Sequence, residues 1–192
     1  MKKILVFLIV FLLRFGATNN LVAAEINTSF GVWDWKHFEN AGSGAYAINF
    51  DYQPDDKNRN LNIPILGDVK KIYSLTLYAD FNDSFSKKYN IRSSENTSEL
   101  GGFISAGIEK EFKVFEKLTL IPSFAPSLYG RIDEGKNMGL PLEFKSQVKI
   151  RYDFSNSSNF ILSYNHLSNA NIGNWNPGSD TILFSFKIYE LF

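Results

Sequence analysis

Apolar and polar side chains alternate with a period of two along most of this sequence, and no other pattern in it limits the possible folds so tightly. The stretch LEFKSQVKIRYDF at 142–154 is the plainest case. Leu142, Phe144, Val148, Ile150, Tyr152 and Phe154 share one parity, and Glu143, Lys145, Gln147, Lys149, Arg151 and Asp153 share the other. Successive side chains of an extended chain point to opposite sides, so this stretch reads as a strand with one apolar and one charged face. Similar patterns predict eight strands, at about 26–37, 44–53, 71–82, 99–112, 117–130, 141–154, 159–169 and 180–192. No second domain, internal repeat or low-complexity tract interrupts them. The fold class is therefore all-β, an eight-stranded antiparallel barrel.

Alternation says only that the two faces differ. A soluble lipocalin-like barrel turns its apolar face inward, and a transmembrane barrel turns it outward to lipid. Three further features favour the membrane. Most strands reach the roughly 9–11 residues that a tilted membrane strand needs. Connections alternate in length: KVFE and SNSS are short, while 83–98, 131–140 and 170–179 are long, as expected of periplasmic turns and external loops. The segment 54–70 breaks this rule, being long on the short-turn side. Finally, FSFKIYELF, ending at Phe192, resembles the C-terminal signature by which outer-membrane barrels are recognised for assembly. Trp33, Trp35 and Tyr52 suit the aromatic girdles of such a barrel, with ordinary packing as the alternative.

The first residues, MKKILVFLIVFLLRFGATNNLVAA, read as a cleaved export signal over 1–24: Lys2 and Lys3, an apolar run from Ile4 to Leu13, and small residues at Val22-Ala23-Ala24. That run is shorter than the roughly 20 residues of a membrane-spanning helix. The barrel would then occupy 25–192. Over that span 17 basic residues face 20 acidic ones, which offers no footprint for nucleic acid. With no cysteine and two histidines, neither a disulfide framework nor a structural zinc site is expected. His37 has no Ser or Cys beside it and reads as a loop residue.

The other histidine stands in ILSYNHLSNANIGNWNPGSDTILFSF, which begins at Ile161. Phe160, Leu162, Tyr164, His166 and Ser168 fall on one face of their strand, and Asp180, Ile182, Phe184, Phe186 and Ile188 on one face of the next. His166, Ser168 and Asp180 thus continue lipid-facing rows at the ends of neighbouring strands, beside an external loop. Residues two apart on a strand are about 6.6 Å from each other, and adjacent strands about 4.8 Å, so the three side chains can meet. A serine becomes a nucleophile when a base takes its proton, and a carboxylate that fixes the base's tautomer assists. Polar groups facing lipid are costly, by up to about 2–4 kcal/mol for a basic residue at the midplane, so three together call for a reason.

The segment HLSNANIGNWNPGSD resembles the active-site segment of the outer-membrane lipid A 3-O-deacylases, the PagL family, whose motif is His-x-Ser-Asn-Ala followed by Asn-x-Gly-x-Glu. His166, Ser168, Asn169 and Ala170 match its first part, Asn176 and Gly178 its second, and Asp180 falls at the acidic position. The resemblance implies an eight-stranded barrel with Ser168 as nucleophile, His166 as general base and Asp180 as its orienting acid. It also implies support from Asn169, Asn176 and Gly178, with Asn176 and loop N–H groups as oxyanion donors. Two residues depart from the pattern: Asp180 is one methylene shorter than the usual Glu, and Asn171 stands where relatives carry Gly. The expected substrate is lipid A, that is lipopolysaccharide of the outer leaflet, with no cofactor and no metal. The outer membrane itself is the other expected partner, and a homodimer stays open. A non-catalytic barrel acting as adhesin, receptor or membrane-stabilising protein is the competing reading, and a calcium-dependent phospholipase a third.

Overall fold

The alternating faces become the two walls of a closed sheet. The computed structural model describes residues 25–34, 45–54, 60–79, 100–132, 137–155 and 158–188. Residues 1–24, expected to be an export signal, and Trp35, His37 and Phe192 lie outside them. Among the described residues there are ten strands: β1 (Glu25–Trp33), β2 (Ala45–Gln53), β3 (Asn60–Ile63), β4 (Gly67–Ala79), β5 (Leu100–Glu109), β6 (Phe112–Phe115), β7 (Leu118–Ile132), β8 (Leu142–Ser155), β9 (Ser158–Ser168) and β10 (Ser179–Ile188). The long strands follow the order β2-β1-β10-β9-β8-β7-β5-β4, and β4 pairs back with β2 to close the barrel. All pairings are antiparallel. These eight match the eight expected from the sequence, and β3 and β6 are short additions to β4 and β7.

Two details differ from expectation. The connection 54–70 carries a hairpin of its own, in which β3 folds onto the start of β4 through Pro64–Leu66, with Gly67 at φ 68°. Asn62 Nδ2 donates to Asp68 Oδ1 across it at 2.7 Å. The strand expected at 99–112 stops at Glu109, where Lys110 and Glu111 interrupt the pairing before β6 resumes against β7. There the Lys110 N–H donates to the Pro122 carbonyl at 3.0 Å, and the side chain turns over the Phe112 ring to bond the Leu66 carbonyl.

The outer wall is apolar: Phe30, Ile104, Leu128, Val148, Ile150, Phe184 and Phe186 are all exposed on it. The charged face of β8 turns inward, and charges buried in low dielectric persist only when compensated. Lys149 lies between Asp51 at 2.7 Å and Glu109 at 3.2 Å. Asp51 also accepts from Ser74 and Asn49, and Lys145 donates to Ser74. At the end of the barrel that bears the long loops, this network gives way to Trp33, Tyr78, Phe103 and Tyr129, with the Trp33 and Tyr78 rings stacked 4.2 Å apart. These rings fill that end of the interior, and at the other end a cavity of about 210 Å³ remains among Glu25, Asp51, Glu109, Lys149 and Arg151.

Trp33 therefore does not belong to an interface girdle, because it is fully buried inside the barrel. Its inner-face neighbours across β2 are Ala45 and, one pair along, Ala47 opposite Gly31. The two alanines leave the volume that the indole fills. Tyr52 does lie on the outer wall, 6.1 Å from Tyr73.

Candidate active site

The site lies on the outer wall, where β9 ends and β10 begins. The inner residues of β9 are Asn159, Ile161, Ser163, Asn165 and Leu167, so Tyr164, His166 and Ser168 point outward. On β10, Ser179, Thr181, Leu183 and Ser185 are buried inside, and Asp180 points outward. Register then sets the geometry: Asp180 stands directly opposite His166. The imidazole Nδ1 and Asp180 Oδ1 are 2.8 Å apart. Against a carboxylate, Nδ1 carries the proton and donates it, which leaves Nε2 with its lone pair. The acid is the more recessed of the two, with 17% of its side chain accessible against 45% for the histidine. The imidazole therefore fronts the surroundings, with the carboxylate behind it.

Ser168 lies two residues beyond His166 on the same face, opposite Phe144 of β8. No hydrogen bond joins its hydroxyl to His166 in this structure. Such bonds are often open before substrate binds and tighten in the complex. Tyr164, which the sequence showed only as a lipid-facing aromatic, donates its hydroxyl to Asp180 Oδ1 at 2.8 Å. Its place two residues before His166, on the same face, was the one available signal of this contact.

The loop between the strands is held by asparagines. Ala170 and Asn171 have φ of 54° and 60°, and the Ile172 N–H donates to the Asn169 carbonyl at 3.1 Å. Two consecutive positive φ values closed by such a bond make a type I′ turn, which glycine and asparagine enter most easily. Asn171, where the sequence resemblance expects Gly, thus takes a left-handed conformation open to either residue. Asn169 is fully buried. Its Nδ2 donates to the carbonyls of Trp175 at 2.8 Å and Met138 at 3.2 Å, and its Oδ1 accepts from the Asn171 N–H at 3.1 Å. The Met138 bond ties this loop to the β7–β8 connection, a link that nothing in the sequence pattern indicated.

Asn176 Oδ1 accepts from the Asn169 N–H at 3.1 Å, and its Nδ2 donates one hydrogen to Asn171 Oδ1 at 3.0 Å, leaving a second for another acceptor. Gly178, at φ 60°, lies beside the His166 ring. The structure therefore brings His166 and Asp180 into direct contact, puts Gly178 beside the ring and Ser168 on the same face, and sets Asn169 and Asn176 as braces of the adjoining loop. Among the described residues, no group of three or more His, Cys, Asp or Glu side chains is arranged to hold a metal ion.

Comparison with known proteins gives the following. A family model described as lipid A 3-O-deacylase (PagL) matches residues 69–189, which contain β4 except its first two residues, β5 through β10, and every candidate site residue. No curated protein sequence matches the chain. The crystal structure of the outer membrane enzyme PagL superposes with a TM-score of 0.52 at 13% identity, covering 86% of this chain and 100% of that one. Neisserial surface protein A superposes with a TM-score of 0.54 at 7% identity, covering 88% and 99%. At such identities the two structures speak for the fold.

Proposed function

This chain belongs to the lipid A 3-O-deacylase (PagL) family, and on that premise we propose that it is a serine esterase that removes the 3-O-linked acyl chain of lipid A. Family and barrel architecture make it a protein of the outer membrane. Residues 1–24, read as a cleaved export signal, would deliver it there. The observation that carries the proposal is the 2.8 Å bond between His166 and Asp180 on the outer wall, with Ser168 two residues away on the same face.

The chemistry follows from those groups. Ser168 Oγ attacks the ester carbonyl of the acyl chain, and His166 Nε2 takes the hydroxyl proton. Asp180 stabilises the resulting imidazolium through Nδ1–H and keeps the ring oriented. The oxyanion is met by the free hydrogen of Asn176 Nδ2 and by loop N–H groups, with little water present to compete. The bond to the sugar 3-oxygen then breaks, and that oxygen takes the proton from Nε2. Water activated by the same histidine hydrolyses the acyl-serine and releases a 3-hydroxy fatty acid. A catalytic group on the outer wall at the long-loop end would meet lipid in the external leaflet, which is where lipid A resides.

The test is the mass of lipid A after incubation with the purified protein. Wild type should remove one 3-hydroxy acyl chain, and Ser168→Ala should remove none while migrating as a folded barrel in unheated gels. A Ser168→Ala protein that deacylates at the wild-type rate would overturn the serine mechanism. A wild type inert on every lipid A tested would leave the non-catalytic barrel as the reading.

A further inference from the structure

Tyr164 and His166 donate to the same atom. Both the tyrosine hydroxyl and the imidazole Nδ1 lie 2.8 Å from Asp180 Oδ1. We infer that Tyr164 is a positioning residue for this site, holding the Asp180 carboxylate in the rotamer that faces His166. The inference rests on Asp180 being the acid of a catalytic triad and deepens that reading.

A single bond from histidine fixes one point of the carboxylate and leaves it free to swing about its two side-chain torsions. A second donor arriving from another direction removes that freedom. Register supplies the direction: Asp180 is opposite His166 and Ile182 is opposite Tyr164, so the tyrosine reaches Asp180 diagonally from β9 while the histidine meets it head-on. An aspartate also has less reach than a glutamate, so its placement depends more on such a brace.

The surroundings make this hydroxyl hard to replace. Leu162, Val148, Ile182 and Phe184 line the outer wall around it. On a surface embedded in lipid, water cannot readily take over a lost hydrogen bond. At a solvated site a water molecule would fill the place of the hydroxyl and hide its removal. Here the carboxylate would lose a donor outright.

The test is a cycle of variants assayed on lipid A. Tyr164→Phe keeps the ring and its packing and removes only the hydroxyl. It should lower kcat about tenfold and leave KM within about twofold, because the hydroxyl touches no substrate. In the Asp180→Asn background the same substitution should have no further effect, since residues that act through one contact are non-additive. Tyr152→Phe, on the same wall but far from the site, serves as the control and should keep the wild-type rate. A purely structural role for the tyrosine would lower the rate by the same factor in both backgrounds. Either that additivity, or wild-type kcat for Tyr164→Phe beside an impaired Asp180→Asn, overturns the inference alone. An inert wild type, or full activity of Asp180→Asn, overturns the inference together with the triad it rests on.

Discussion

Gly178 faces the His166 ring at the end of the β9–β10 loop: a methyl group on the Gly178 α-carbon would stand 3.1 Å from the imidazole Cε1 and 3.6 Å from Nε2. The backbone at Gly178 has φ 60°, in the left-handed region where a side chain is strained. The glycine therefore does two things, turning the chain into β10 and leaving the Nε2 edge of the ring uncovered.

Gly178→Ala should accordingly damage catalysis more than folding. The strain costs about 1–2 kcal/mol, whereas a displaced base can cost on the order of a hundredfold in rate. Deacylation rates compared with the denaturant midpoint of the same preparation will show it. Full activity in this variant would mean that the ring edge beside Gly178 is not used.

Asp180→Asn should retain more activity than Ser168→Ala, because the acid orients the base whereas the serine forms the covalent bond. Asp180→Glu should remain active, since it restores the family's usual acid. Single-turnover rates on lipid A, with folding checked by heat-modifiable migration, will rank the three. Wild-type activity in Asp180→Asn would remove the acid from the mechanism.

Asn169→Ala should lose both activity and local stability. Its buried side chain makes three hydrogen bonds, all lost in the alanine variant. A buried polar group left without a partner costs about 1–3 kcal/mol. Proteolysis within the loops at 137–141 and 169–178 should accelerate relative to the rest of the barrel. Unchanged cleavage would show that the Met138 and Trp175 carbonyls are satisfied some other way.

Lys149→Met should be the most destabilising of these changes and should leave the site geometry untouched. It strands the Asp51 and Glu109 carboxylates together inside the barrel. Breaking a buried pair in this way costs about 3–5 kcal/mol. Urea unfolding in lipid vesicles is the measurement, and Asp51→Asn in the same chain should recover part of the loss. A midpoint equal to wild type would mean that the network contributes nothing to stability.

Much of this protein is written locally. Side-chain parity in a strand needs no tertiary information, so the outward rows holding Tyr164, His166 and Ser168, and the inward charges of β8, could be read directly from the sequence. The ten residues between Ser168 and Ser179 also made a β9–β10 hairpin legible, and with it the approach of Asp180 to His166. Partnership across the barrel was not legible, because it depends on how the sheet closes. Lys149 finds Asp51 98 residues away. Trp33 is interior because Ala45 and Ala47 leave it space, and the cavity they bound exists only once β2 has paired with β4. The hairpin within 54–70 and the interruption at Lys110 are set by neighbouring strands, with Lys110 bonded to both Pro122 and Leu66. The convergence of Tyr164 and His166 on one oxygen of Asp180 likewise depends on strand register and side-chain rotamers. Alternation told which way each residue faces, but only the closed barrel decided what it faces.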